Sequence, residues 1–335
     1  MSETEPSLRS LMNQSPRNAR SPLIQRAGVL IPASASACCS KQIGVYDWKE
    51  LLSGMRREVV KPFSILRWLG GPGWVWKVYR GIEPHERQRR ESEAVLIAAG
   101  WGIAVPTVLA TGLHEDGPWS VFSVVPGTRR PLRSEHDVRQ HLQDVRGLTE
   151  TLGANSIGLA PGDGWAESSS EGPTGHRQFL LEQLSERCRA YEWWGDLCGS
   201  LLVVDSERTV YLHGDLKAEH FLIAEDAIHV VDWEACGRGP VACDQADVVF
   251  HVLRDLVHDG VAVPPTVVAL LGELGTPGAV LAWRLVRWLD RRRPEDLLLV
   301  SPRELTELAV ESDAAIACHK LLQVMTALRA KGVPR

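Results

Sequence analysis

The spacing of apolar and polar positions divides the chain into a tail, a strand-rich stretch and a helix-rich remainder. Residues 1–42 are rich in Ser, Pro, Asn, Arg and Ala with little periodicity, so a mostly disordered tail is expected, with a short amphipathic piece around Leu8–Met12. From Val45 to Val125 the pattern is of short strands and one helix. Val59, Lys61, Phe63 and Ile65 alternate, and Gly70-Gly-Pro-Gly73 is a turn that joins Phe63–Leu69 to Trp74–Arg80 as a hairpin. Glu86–Ala99 has helical spacing, with Glu91, Ala94, Val95 and Ala98 on one face. Trp119–Val125 is again a strand, closed by Pro126-Gly127. After Arg133 the period becomes helical, in Glu135–Leu152, Phe179–Leu202, 265–274, 279–291 and 303–329, with a long polar loop at 158–176.

One strand-like island interrupts those helices. Val210, Leu212, Phe221, Leu222, Ile223, Ile228, Val230 and Val231 are the apolar and β-branched residues of short buried strands. Between them lie His213, Asp215, Lys217, Glu219 and His220, and Asp232 ends the last strand. Two carboxylates on neighbouring loops of one small sheet can point at one spot. Phosphoryl transfer needs that arrangement, one beside the attacking hydroxyl and one holding a metal on the nucleotide. A second charged position stands out in Trp74-Val-Trp-Lys77-Val-Tyr-Arg80. Alternation puts Lys77 on one face with Val75 and Tyr79, and an ammonium among apolar groups needs an anionic partner.

Bulk properties narrow the reading. A length of 335 residues accommodates two lobes, and a net charge of −5 gives no support for a nucleic-acid partner. Without residues 1–42 the charge is −8, a mild acidity that suits a cationic substrate but is common. The 7 cysteines include no C-x-x-C, which argues against a disulfide framework or structural zinc and for a reducing cytoplasm. No apolar run is long enough to span a membrane, and no secretory signal is seen.

His213-Gly-Asp215-Leu-Lys217-x-x-His220, followed by Asp232-Trp-Glu, resembles the aminoglycoside-phosphotransferase and choline-kinase branch of the protein-kinase-like fold, whose signature is H-G-D-x-x-x-x-N and then D-x-[DE]. The resemblance implies an α+β, two-lobed fold, with a small β-rich lobe at 43–125 carrying one helix and a larger, mainly helical lobe at 126–335. It also implies ATP and Mg²⁺. Asp215 would be the catalytic carboxylate, Lys217 would face the γ-phosphate, and His213 would be structural. Lys77 would hold the α/β-phosphates and Glu91, favoured over Glu93, would hold Lys77. Ser53-Gly54 falls where a phosphate-covering loop is expected, and backbone around Val124–Val125 where the adenine edge is met. Asp232 and His220 occupy the metal positions, and Asp244 would open a helix as its N-cap and brace the catalytic loop.

Two departures matter. His220 stands where the family has Asn; Mg²⁺ prefers oxygen donors, so either His220 acts through a water, Mn²⁺ is tolerated better than usual, Asp232 carries the metal largely alone, or the kinase is weakened or inactive. Lys217 is a feature of kinases acting on peptidyl Ser or Thr. The leading expectation is ATP-dependent transfer to a hydroxyl of an antibiotic- or metabolite-like small molecule. A peptide Ser/Thr kinase that tailors a ribosomally made peptide, and a non-catalytic nucleotide-binding module, are the alternatives.

Overall fold

The computed structural model describes residues 55–69, 73–157 and 175–335, all within one compact unit, Lys41–Arg335. The expected tail with Cys38 and Cys39, Ser53-Gly54 and most of the polar loop lie outside the described residues.

A five-stranded antiparallel sheet comes first, in the order β1-β2-β3-β5-β4. Its strands are β1 (Met55–Val60), β2 (Ser64–Leu69), β3 (Trp74–Tyr79), β4 (Val108–His114) and β5 (Gly117–Ser123). The expected hairpin pairs Leu69 with Trp74 and Leu66 with Lys77. The alternation from Val59 to Ile65 is not one strand. Lys61 N–H donates to Ser64 O (2.8 Å), so Pro62 and Phe63 form a two-residue turn, and Pro62 has no N–H to continue a ladder. Helix α1 (Pro84–Gly100) packs Glu91, Ala94, Val95 and Ala98 inward, the face read from the sequence.

The chain leaves β5 through Val124–Gly127, where Gly127 adopts φ +108° and a Cβ would press on Ile223 O. A short strand β6 (Thr128–Arg129) pairs with β8 (Phe221–Ile223). Helix α2 (Glu135–Ala154) starts in a Ser134/Asp137 capping box. The helical region expected at 179–202 is built of α3 (His176–Glu182), a 3₁₀ turn (Glu186–Ala190) and α4 (Trp194–Ser200), with Trp193 buried against Tyr191. Strands β7 (Thr209–Leu212), β8 (Phe221–Ile223), β9 (Ile228–Val230) and β10 (Gly237–Pro240) form the central island. Helices α5 (Ala242–His258), α6 (Pro265–Gly272), α7 (Gly278–Asp290), α8 (Pro302–Ala309) and α9 (Ala314–Ala330) complete the helical part. The helix expected across 303–329 breaks because Asp313 caps a new one, accepting from Ala315 N and Ile316 N. No helix among the described residues is long and apolar enough to cross a membrane.

The largest apolar core joins α1 to α2, α5, α7 and α9, while Ile65, Leu69, Trp76, Val78, Trp119 and Val121 form a smaller one on the sheet. A small sheet-rich lobe therefore sits on a larger, mainly helical one, the protein-kinase-like arrangement.

Candidate active site

Lys77 is almost fully buried, and three carboxylates converge on its ammonium: Asp232 Oδ1 at 2.6 Å, Glu91 Oε2 at 2.7 Å and Glu234 Oε2 at 2.8 Å. Tyr79, two residues along β3 on the same face, donates to Glu91 Oε2 (2.7 Å). Burial alone would lower the Lys77 pKa, but Asp232 and Glu91 hold it well above its usual value. Asp232 shows the converse: burial pushes it up, and Lys77 and His220 keep it well below the carboxylate range. Glu91 is raised, because burial outweighs Lys77 there. Glu93, the alternative on α1, stays outside and pairs with Arg89.

The catalytic-type loop follows β7. Gly214 takes φ +81°, and any side chain there would collide with Ala235 O, so the sharp turn needs glycine. Asp244 fixes the loop from below, accepting from His213 N (2.9 Å) and Gly214 N (2.8 Å). It is not the N-cap expected of it; Val241 is, and Asp244 lies in the first turn of α5, with its carboxylate turned back to the loop. His213 Nε2–H donates to Val231 O (3.0 Å), and burial keeps the ring neutral, its pKa lowered to about 4. Asp215 Oδ2 lies 2.7 Å from Lys217 Nζ, and Oδ1 lies 3.4 Å from His251 Nε2. Against the rise that burial causes, His251, His220 and Lys217 hold Asp215 well below the usual range.

His220 stands between the two aspartates. Its Nδ1 is 2.9 Å from Asp215 O, and a carbonyl only accepts, so Nδ1 carries a proton. Its buried Nε2 then faces Asp232 Oδ2 at 3.3 Å without a hydrogen bond. The imidazole nitrogen and the carboxylate oxygen are near enough to share a cation. Glu91, Asp232 and Glu234 also lie close enough together to share an ion. Oxygen donors suit Mg²⁺, and the added imidazole nitrogen widens the range toward Mn²⁺. The residues present therefore fit a divalent metal at Asp232, with Glu234 and His220 beside it.

The remaining sequence expectations divide. Val124 N–H is committed to Gly73 O (2.7 Å), whereas Val125 N–H has no backbone partner among the described residues. Ser53-Gly54 precedes β1 and lies outside the described residues, whereas the turn that reaches the site is Lys61-Pro62-Phe63, whose Lys61 Nζ is 3.5 Å from Asp232 Oδ2. The sequence reading missed Lys61, Arg87, Glu234, His251 and Arg284. Arg87 pairs with Glu234 Oε1 (2.7 Å) and donates to the carbonyls of Phe63 and Arg80. Signals existed: Glu234 closes the D-W-E triplet, His251 is four residues beyond Asp247 on an apolar helix face, and Arg284 interrupts the apolar run Val280–Val286. Arg284 bonds Asp247 and lies 2.9 Å from His251 Nε2. Asp247 therefore serves a buried ion pair.

A two-lobed fold with a buried lysine–glutamate pair facing a loop aspartate and a second aspartate after the next hairpin defines a phosphotransferase of protein-kinase-like fold. A family model described as APH, phosphotransferase enzyme family, matches residues 64–259, more than half of the chain, and the chain belongs to that family. Among solved structures, the GDP and kanamycin complex of APH(2")-IIia superposes with a TM-score of 0.51 at 14% identity, covering 76% of this chain and 92% of that one. The streptomycin–ATP–APH(2")-IIa ternary complex gives 0.50 at 12% identity, over 81% and 97%. No curated protein sequence matches.

Proposed function

We propose that this protein is a cytoplasmic, ATP-dependent kinase that moves the γ-phosphoryl group to a hydroxyl of a small molecule. The observation that carries this reading is the convergence of Lys77, Glu91 and Asp232 across the lobes, with Asp215 tied to the same spot through His220. Lys77 holds the α/β-phosphates once it exchanges a carboxylate for them. Val125 N–H meets the nucleobase. Asp232, Glu234 and His220 would hold Mg²⁺ or Mn²⁺, which would supply charge neutralisation for the nucleotide's phosphates.

The acceptor hydroxyl donates to Asp215 and is aimed by it. Asp215 is a weak base, since its pKa is held low, so it orients the hydroxyl and takes the proton late, as a loose transition state allows. Lys217, now on Asp215, is placed to follow the transferring phosphoryl group. In many kinases of this fold a glycine loop lays backbone amides over the phosphates. Here that turn spends the Lys61 amide on Ser64 O and contains Pro62, so the Lys61 ammonium takes the place of an amide cradle.

The deciding experiment incubates the protein with γ-labelled ATP, Mg²⁺ and a panel of hydroxyl compounds, including antibiotics, sugars and precursor peptides. Label is expected on a small molecule with the wild type. With Asp215→Asn transfer falls at least 1,000-fold, on the order of other lost catalytic bases, while ATP affinity changes only a few-fold. Full turnover by Asp215→Asn would remove that residue from the mechanism, and label on peptides alone would move the acceptor class.

A further inference from the structure

Arg284, Arg287 and Arg291 follow one another at i, i+3 and i+7 along α7 and its C-cap, so they share a helix face. That face begins at the acceptor side of the catalytic loop, because Arg284 Nη2 is 2.9 Å from His251 Nε2, which is 3.4 Å from Asp215 Oδ1. Arg284 is matched by Asp247. Among the described residues the next two arginines have no carboxylate partner. Of the carboxylates at this end of α7, Asp290 is engaged by Arg187, and Asp296 lies 4.0 Å from Arg292 and pairs with neither Arg287 nor Arg291. Among the described residues Arg287 has the face of Trp283 (5.2 Å) and a buried Nε with no hydrogen-bond partner, and Arg291 has no carboxylate partner.

An uncompensated pair of guanidiniums is unexpected in a chain whose net charge is −5. Burial, with Arg291 and Arg284 nearby, lowers the Arg287 pKa to about 9, and Asp247 and Asp215 act in the opposite direction. Arg291 is exposed on the same face, one turn further on, and Asp247 and Asp215 both act on it. Both stay charged at neutral pH and repel one another, a cost that an anion between them would reverse. A guanidinium's planar fork matches a carboxylate or phosphate with two parallel hydrogen bonds. A polyamine acceptor would be repelled at the same place.

We propose that Arg287 and Arg291 form a recognition site for an anionic group, a carboxylate or a phosphate, carried by the acceptor whose hydroxyl approaches Asp215. The proposal rests on the kinase reading of the cleft. The local field decides the substrate's charge here, and it is opposite to the mild overall acidity.

The test fills the nucleotide site with AMP-PNP and Mg²⁺ and titrates glucose, gluconate, glucose 6-phosphate, inorganic phosphate and kanamycin, read by calorimetry and by the fluorescence of Trp283 and Trp288. Gluconate or the phosphates are expected to bind, and which of them binds tighter separates the carboxylate from the phosphate source; glucose and kanamycin are not expected to bind. Arg287→Gln and Arg291→Gln should each weaken anion binding more than tenfold with AMP-PNP affinity unchanged. Arg287→Lys, which keeps the charge and loses the fork, should lie between if the glutamine variant proves unstable. Absence of anion binding, tighter binding of kanamycin, or anion affinity equal in variants and wild type overturns the proposal. Failure of the wild type to bind AMP-PNP would instead sink the nucleotide reading, and anion titrations repeated without nucleotide keep the two outcomes apart.

Discussion

Lys61 and Lys77 both touch Asp232, yet they pose different experimental problems. Lys77 is enclosed by three carboxylates, so its removal strands like charges in a buried place; breaking such a pair costs ~3–5 kcal/mol, and lost activity would not separate chemistry from folding. Lys61 is half-exposed, on a turn, and its loss should leave the fold intact. Lys61→Ala is expected to weaken ATP binding about tenfold, the worth of one charge-assisted contact, and ADP binding less. Adenosine binding should be unchanged and Lys61→Arg should restore most of the loss, all checked by calorimetry. Equal ATP affinity in the alanine variant would mean that the turn does not cover the phosphates. Lys61 was hidden in the sequence because its alternation with Val59, Phe63 and Ile65 imitates one continuous strand. The pairing of Lys77 with an anionic partner was legible because a charge amid apolar strand residues demands one. Arg87 was not, since a run of arginines on one helix looks the same whether solvated or reaching across a cleft.

Among the elements, those with unambiguous period were read to within about two residues, α1 and α2 among them, and the β2–β3 pairing followed from its glycine turn. Where the reading failed, local capping competes with a continuing apolar period, at Asp313 between α8 and α9, while a stretch with Gly195 and Gly199 settles for short pieces. Helix α2 also carries an unexpected polar residue on its packed face. His141 is buried edge-on to Phe221 (ring centroids 5.1 Å apart), with neither ring nitrogen bonded. Burial first, then Arg130, lowers its pKa to about 4. The unfolded chain therefore takes up a proton below about pH 6.5 that the folded one refuses. The contribution of this residue is complete above that pH and declines as pH falls toward 4. His141→Leu should remove about 2 kcal/mol of the stability difference between pH 7 and pH 5, measured by urea unfolding at both. An identical pH dependence in variant and wild type would show that the ring is protonated in place.

At the scale of the whole molecule, the lobes share the apolar stripe of α1, and across the cleft itself they meet through charge: Lys77 with Asp232 and Glu234, Arg87 with Glu234, and Lys61 with Asp232. A nucleotide entering this cleft brings phosphates toward Glu91, Asp232 and Glu234, and like charges a few ångströms apart cost several kcal/mol even at an effective dielectric constant of about 20. Binding should therefore depend on a divalent cation far more than Lys77 and Lys61 alone would require. ATP affinity measured in EDTA is expected to be at least tenfold weaker than in Mg²⁺, with Mn²⁺ equal to or better than Mg²⁺ because of the His220 nitrogen. Glu234→Gln separates the causes. In EDTA it should tighten ATP binding a few-fold, by removing one repulsive charge and releasing Arg87 toward the phosphates. In Mg²⁺ it should weaken binding, by removing a metal partner. The opposite signs are the signature of a carboxylate that repels the bare nucleotide and receives the metal-bound one. If Glu234→Gln shifted affinity in the same direction under both conditions, Glu234 would be a lobe clamp through Arg87 and no part of the metal site.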